Sequence, residues 1–254
     1  MIAITADTRD FGHLGQLLAS LAPDKVPVAT ARALTRVAVG ARADVKARMP
    51  EIFDRPTAFT VNAVRYQMAR ANDLTARVYL SEDAPKGISP RNYLGPEIDG
   101  GPRRDKRSER ALKSAGLMQA GQQWTPGKAM PLDSYGNVPG PVMVQMLSRL
   151  SAFGEQGFRA NASAATRRKL AKQGKATART GTDIFVARSK RGGEPIGVYQ
   201  LMSKGVVKMM LAFVDKRPTY KPRFDFPGLV KRYVDQHLND ELAKSFAQSL
   251  ERLK

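Results

Sequence analysis

Between Asp24 and about Arg48 the residues Ala31, Leu34, Ala38, Ala41 and Val45 recur at spacings of 3, 4, 3 and 4, which is the apolar seam of an amphipathic helix. No other segment constrains the fold so tightly. Small side chains dominate this seam, so a second element must lie close against it, while Arg32, Arg36 and Lys46 point away. Asp24 is placed to cap the start, and Pro50 with Asp54-Arg55-Pro56 to end it. Upstream, Asp7 to Leu21 reads as a short helical entry with Phe11, Leu14, Leu17, Leu18 and Leu21 on one face.

The period then changes. Across Thr57 to Leu80, Phe59, Val61 and Ala63, then Leu74, Ala76, Val78 and Leu80, alternate with polar residues around Ala71-Asn72-Asp73. This predicts a β-hairpin with one buried face. From Ser81 to about Pro141 the pattern dissolves into Pro and Gly punctuation, with only Ser108 to Met118 reading as helical. So long an irregular stretch points to a contact arm. Val142 to Phe153 reads as a short helix. Ile184 to Val186 and Ile196 to Leu201 flank Lys190-Arg191-Gly192-Gly193 as a second hairpin, and Val206 to Val214 adds a third strand. Asp225 is placed to cap a closing helix along which Val230, Val234, Leu238, Leu242, Phe246 and Leu250 recur every fourth residue. Such a stripe drifts by about 40° per step at 3.6 residues per turn, implying a wrapped or broken helix with Asn239-Asp240 as the break.

Charge sets the partners. The 254 residues carry 42 Lys+Arg against 23 Asp+Glu, a formal net charge of +19, and such self-repulsion calls for an acidic partner, nucleic acid being the commonest. Between 159 and 191 stand Arg159, Arg167, Arg168, Lys169, Lys172, Lys175, Arg179, Arg188, Lys190 and Arg191 against Asp183 alone. These basic residues are the sequence's candidate polyanion-binding site. The first half of this segment is rich in Ala, Thr, Asn and Gly, the composition of a mobile stretch. No aromatic lies between Arg159 and Asp183 to stack on a base, so the contact expected is salt-sensitive and indifferent to sequence.

Catalytic signatures are scarce. The chain has no cysteine, hence no disulfide scaffold, thiolate zinc site or thiol nucleophile. His13 and His237 lack partners at metal-ligand spacing. Gly121 to Ala129 is one residue too long between its glycines for a phosphate loop and ends in Ala where a magnesium-binding hydroxyl belongs. Glu51/Asp54 and Asp235/Glu241 sit among cations that would hold them as salt bridges or caps. We therefore expect no catalytic residue, metal or cofactor. No run approaches about 18 apolar residues, and Met1 to Asp10 has no charged start followed by an apolar run. Neither a membrane span nor a secretory signal is expected.

The run Val26-Pro27-Val28-Ala29-Thr30-Ala31-Arg32-Ala33-Leu34-Thr35-Arg36-Val37-Ala38 resembles the opening of the minor tail protein Z family, the tail-completion proteins of long-tailed bacteriophages. Later features keep that family's order: strands ending in Ala76-Arg77-Val78-Tyr79-Leu80, a basic middle, a strand cluster, then Arg217-Pro218-Thr219-Tyr220 and Phe224-Asp225-Phe226-Pro227 before a long helix. The resemblance covers about 24 to 80 and 182 to 254 and fails over Ser81 to Phe153.

It implies an α+β protein: an antiparallel sheet built from hairpins, packed with an N-terminal amphipathic helix and a long C-terminal helix, plus an extended irregular insertion. The expected division is a core of 1–80 and 182–254, an insertion or arm of 81–158, and a basic mobile segment of 159–181. The implied role is structural and non-enzymatic, at the head-proximal end of the tail, in head–tail joining and DNA passage. Implied partners are further copies in a cyclic homo-oligomer, a hexameric ring among the sizes, with the tail terminator, tail tube or head-completion proteins, and sequence-independent contact with genomic DNA. The implied location is the virion's head–tail junction, after assembly in the host cytoplasm. The rival readings are a non-specific basic nucleic-acid-binding protein and, on charge alone, a phage nuclease.

Overall fold

The computed structural model describes residues 2–5, 25–84, 87–154, 160–172, 183–202, 205–215 and 219–251. The Asp7 to Leu21 helix, the Asp24 cap, His13, and Arg159, Lys175 and Arg179 fall outside them. The fold is α+β, in two compact units: Met1–Gly101 with Tyr220–Lys254, and Pro102–Thr219.

The first unit is a pair of long helices against a small sheet. Helix α1 (Lys25–Ile52) buries Ala31, Leu34, Ala38, Ala41 and Val45, the seam read from the sequence. It continues through Pro50 before ending. Thr57 caps a single turn, α2 (Ala58–Val61), by accepting from Thr60 N–H, where alternation had implied strand. Strands β1 (Ile2–Thr5), β2 (Val64–Gln67) and β3 (Thr75–Leu80) form an antiparallel sheet in the order β1-β3-β2. The β2–β3 turn closes between Arg70 and Asp73, each backbone N–H donating to the other's carbonyl. Ala76, Val78 and Leu80 face inward toward α1. Helix α3 (Pro90–Asp99) contributes Leu94 to this core. Arg223 and Phe224 N–H both donate to Glu97 O at 2.9 Å, anchoring α3 to the segment before the last helix.

That last helix, α7 (Phe226–Glu251), runs antiparallel to α1: Ser245 Oγ donates to Ala29 O at 2.7 Å, while Gly40 lies under the Tyr233 ring. Gly40 lets the backbones approach, since a Cβ there would collide with the Tyr233 hydroxyl. Asp225 caps the helix through Gly228 N–H at 2.9 Å. The break expected at Asn239-Asp240 does not occur; both are exposed within a continuous helix. The drifting stripe serves two clusters in turn. Leu229 and Val230 join the sheet-side core, Leu242 and Phe246 meet Ala29 and Ala33, and Leu238 packs against both clusters.

The second unit overturns the expected division at 80/81 and 181/182. Its sheet contains β4 (Gln123–Pro126), β5 (Ile184–Arg188), β6 (Pro195–Leu201) and β7 (Val207–Val214) in the order β4-β7-β6-β5. The sequence places the second hairpin and third strand in the core of the long helices. They belong instead with the insertion, because β4 pairs with β7 from Gln123↔Val214 to Pro126↔Leu211. Helices α4 (Arg107–Ser114) and α5 (Gly140–Arg149) pack on this sheet through Leu112, Met146 and Leu147, around Trp124, Val198 and Leu211. The stretch 81–141 is thus no free arm. Prolines read as breakers instead open helices, Pro90 leading α3 and Pro141 the first turn of α5, positions where the missing N–H costs nothing. Within the basic segment expected to be mobile, Ala164–Lys172 is a helix, α6.

Candidate polyanion-binding surface

Ser163 starts α6 by accepting from Thr166 N–H on its hydroxyl and Arg167 N–H on its carbonyl. Leu170 is buried. At 100° per residue, Arg168, Lys169 and Lys172 then fan over the arc opposite Leu170, and all three are exposed. Arg167 leans the other way and donates to Ser151 Oγ at 2.6 Å.

The second part of the basic set sits on the β5–β6 hairpin. Ser189 N–H donates to Glu194 O at 2.7 Å, and Gly193, at φ +68°, donates back to Ser189 O at 3.0 Å. Glycine is suited to that left-handed backbone. The turn holds Lys190 and Arg191 outward and exposed. Arg188 donates to Gly193 O at 2.9 Å and to Gly116 O at 3.4 Å.

These two parts meet at a cleft of about 620 Å³ lined by Arg149, Arg167, Arg188, Leu150, Phe185 and further β5 residues. The three guanidinium groups differ in charge balance. Arg149 donates to both Asp183 oxygens at 2.6 Å, and Gln200 Nε2 reaches the same carboxylate at 2.8 Å. Asp183, the one acid of the segment, is therefore buried against Arg149 rather than offsetting the surface. The salt bridges of this unit among the described residues use Arg103, Lys113 and Arg149. None takes a residue of the basic set. Arg167 and Arg188 keep their charge beside neutral partners.

Sequence reasoning missed Arg149 and Phe185. Phe185 stacks on Tyr199 with ring centroids 6.2 Å apart and planes at 24°. It puts an aromatic side chain in the lining of the cleft, two residues past Asp183. Arg149 lies ten residues before that segment, and only the fold brings it to Asp183.

The other chemistry-bearing residues take structural places. His237 stacks on Tyr233 at 4.0 Å and places Nδ1 2.9 Å from Tyr233 O. Asp54 pairs with Arg55, Asp235 with Lys231, and Glu241 with Lys244. The phosphate-loop lookalike contains β4, with Gly127 tight against the Met209 backbone. Among the described residues there is no group of three or more His, Asp or Glu placed to hold a metal, and no helix long and apolar enough to cross a membrane.

A perturbed ionisable group lies elsewhere in the same unit. Lys106 sits over the Trp124 ring at 3.6 Å. Burial, and then the Arg103 charge, push its pKa down from 10.5 to about 8, against the pull of Glu109. Burial pushes the Glu109 carboxyl up, but Arg103 and the N–H groups of Lys106 and Trp124 outweigh it and hold that carboxyl below its ordinary value. This cluster ties α4 to β4. Comparison with protein-family models, curated proteins and solved structures finds no match to the chain.

Proposed function

We propose that the protein is a structural component of a tailed-phage virion, a tail-completion or neck protein at the head-proximal end of the tail. The observation that carries this reading is the Val26 to Ala38 helix in its sequence context, since that run and the order of features after it resemble the minor tail protein Z family. The surface chemistry is compatible. Arg168, Lys169, Lys172, Lys190 and Arg191 are exposed, and phosphate contacts from such residues bind a duplex without reading its bases. In this reading copies of the chain form a cyclic homo-oligomer at the head–tail junction, against terminator, tube or head-completion proteins, and the basic surface lies toward passing DNA. The chain acts without catalysis. Virions assembled without the protein are expected to yield separate heads and tails, or joined particles that do not infect. Normal infectious particles would overturn the assignment.

A second reading, a non-specific nucleic-acid-binding protein, is favoured by one observation: Phe185 lines the same cleft as Arg167 and Arg188, setting an aromatic ring beside phosphate-binding groups. Its measure is duplex affinity against salt. Absence of binding at low salt eliminates it.

A further inference from the structure

The first unit carries a second arginine cluster, outside the basic segment. On α1, Arg32 and Arg36 stand one helical turn apart on the face away from the buried seam. The start of the β2–β3 turn runs beside them, pinned where Ala69 N–H donates to Thr35 Oγ1 at 3.1 Å. That bond sets Arg70 across from Arg32, and the three arginines line a groove of about 480 Å³.

Their partners are unequal. Arg36 reaches α7, donating to Gln248 Oε1 at 2.8 Å with Glu241 at 3.8 Å, so its charge is partly met. The carboxylate nearest Arg70 in sequence, Asp73, lies 3.9 Å from Arg77. Arg32 is half-buried on the groove wall, with Nη1 turned inward and without a hydrogen-bond partner. Arginine forks match the oxygens of a phosphate group, and three of them converge on this one groove.

We propose that this groove is an anion site for a phosphate group, with Arg32 as its central donor and Arg70 and Arg36 at its sides. The site stands on the geometry of α1 and the β2–β3 turn and is independent of the virion reading. The group could arrive as free phosphate or as the phosphodiester of a nucleic acid, and two measurements on the full chain separate these.

The first is the melting temperature in inorganic phosphate against chloride of equal ionic strength. The second is duplex DNA affinity as a function of salt. The variants are Arg32→Gln, Arg70→Gln and their double, with Arg167→Gln/Arg168→Gln as the comparison in the other unit. A phosphate-specific rise in melting temperature that Arg32→Gln abolishes identifies a free-phosphate site. No such rise, but a salt slope shallower by about 2 in the double variant, identifies a phosphodiester site. Arg70 is exposed in a turn, so Arg70→Gln keeps the test open should Arg32→Gln fail to fold. Equal melting in both salts together with an unchanged slope overturns the proposal, whatever the Arg167→Gln/Arg168→Gln variant does.

Discussion

The two units are held together by different physics. The first is a helix pair and sheet zipped mainly by apolar and small side chains, with Leu34, Val45, Val78, Val230 and Phe246 at most 1% exposed, alongside the buried Glu97 carboxylate held by Arg223. The second also has an apolar core, but buried polar groups fix how its elements join. Glu109 takes Arg103, Lys106 N–H and Trp124 N–H at once. Asp183 takes Arg149 and Gln200, and Gln122 bridges Pro195 O and Asp215. A change in an apolar seam costs in proportion to the volume it adds or leaves empty; a buried carboxylate stripped of its donors is left an uncompensated charge. The second unit should therefore be the more brittle to single changes and to pH.

Spectroscopy can watch them separately. The chain's single tryptophan, Trp124, is buried in the second unit, while the 28-residue α1 and 26-residue α7 dominate the helical signal from the first. The largest effect is expected from Glu109→Ala, which strands Arg103 and two backbone donors. Breaking a buried pair costs about 3–5 kcal/mol, so the tryptophan transition in denaturant should fall well ahead of the helical one. Coincident transitions would show instead that the units unfold as one.

Next comes pH. Lys106 loses its proton near pH 8 in the folded chain but holds it to about 10.4 when unfolded. Between those values the unfolded state binds more protons, so stability rises with pH, by at most about 3 kcal/mol. Lys106→Met should flatten that rise in the tryptophan signal; a rise that persists would place its origin in another group. Glu109 works in the opposite range. Its lowered pKa gives stability that is present above the ordinary carboxylate range and lost as pH falls through the folded value.

In the first unit, Gly40→Leu forces a side chain into the Tyr233 ring. Overpacking of this kind costs about 1–3 kcal/mol, read in the helical transition with the tryptophan transition unmoved. The smallest effect should be Ser245→Ala, which removes the donor to Ala29 O at about 1 kcal/mol. A larger loss than Glu109→Ala would invert the contrast between the units.

Legibility in the sequence follows the same line. The α1 seam, the turn at Ala71-Asn72, the hairpin around Gly192-Gly193 and the Asp225 cap depend on residues within a few positions of one another, and each stands where its local pattern puts it. The Asn239-Asp240 break was misread because a stripe that drifts on an isolated helix can still be buried when two clusters share it. The membership of β5 to β7 was misread because their partner, β4, is a short segment among Pro and Gly with no alternation of its own. In the candidate surface, Arg167, Arg168, Lys169, Lys172, Arg188, Lys190 and Arg191 are plain from charge. That Arg149 neutralises Asp183, and that Phe185 enters the cleft, depends on contacts 34 residues apart or on strand register.

The sequence by itself determined that this chain is basic, cysteine-free and built from one small-residue helix seam, two hairpins and a long closing helix. Those properties are compositional or local, set by periods of 2 and 3.6 residues that neighbours along the chain enforce. Only the tertiary structure decided that the middle of the chain forms its own sheet, that Asp183 is matched to Arg149, and that Arg32 and Arg70 share a groove. Pairing between distant segments is chosen by which buried donors and acceptors can be satisfied together, and that choice has no period to read.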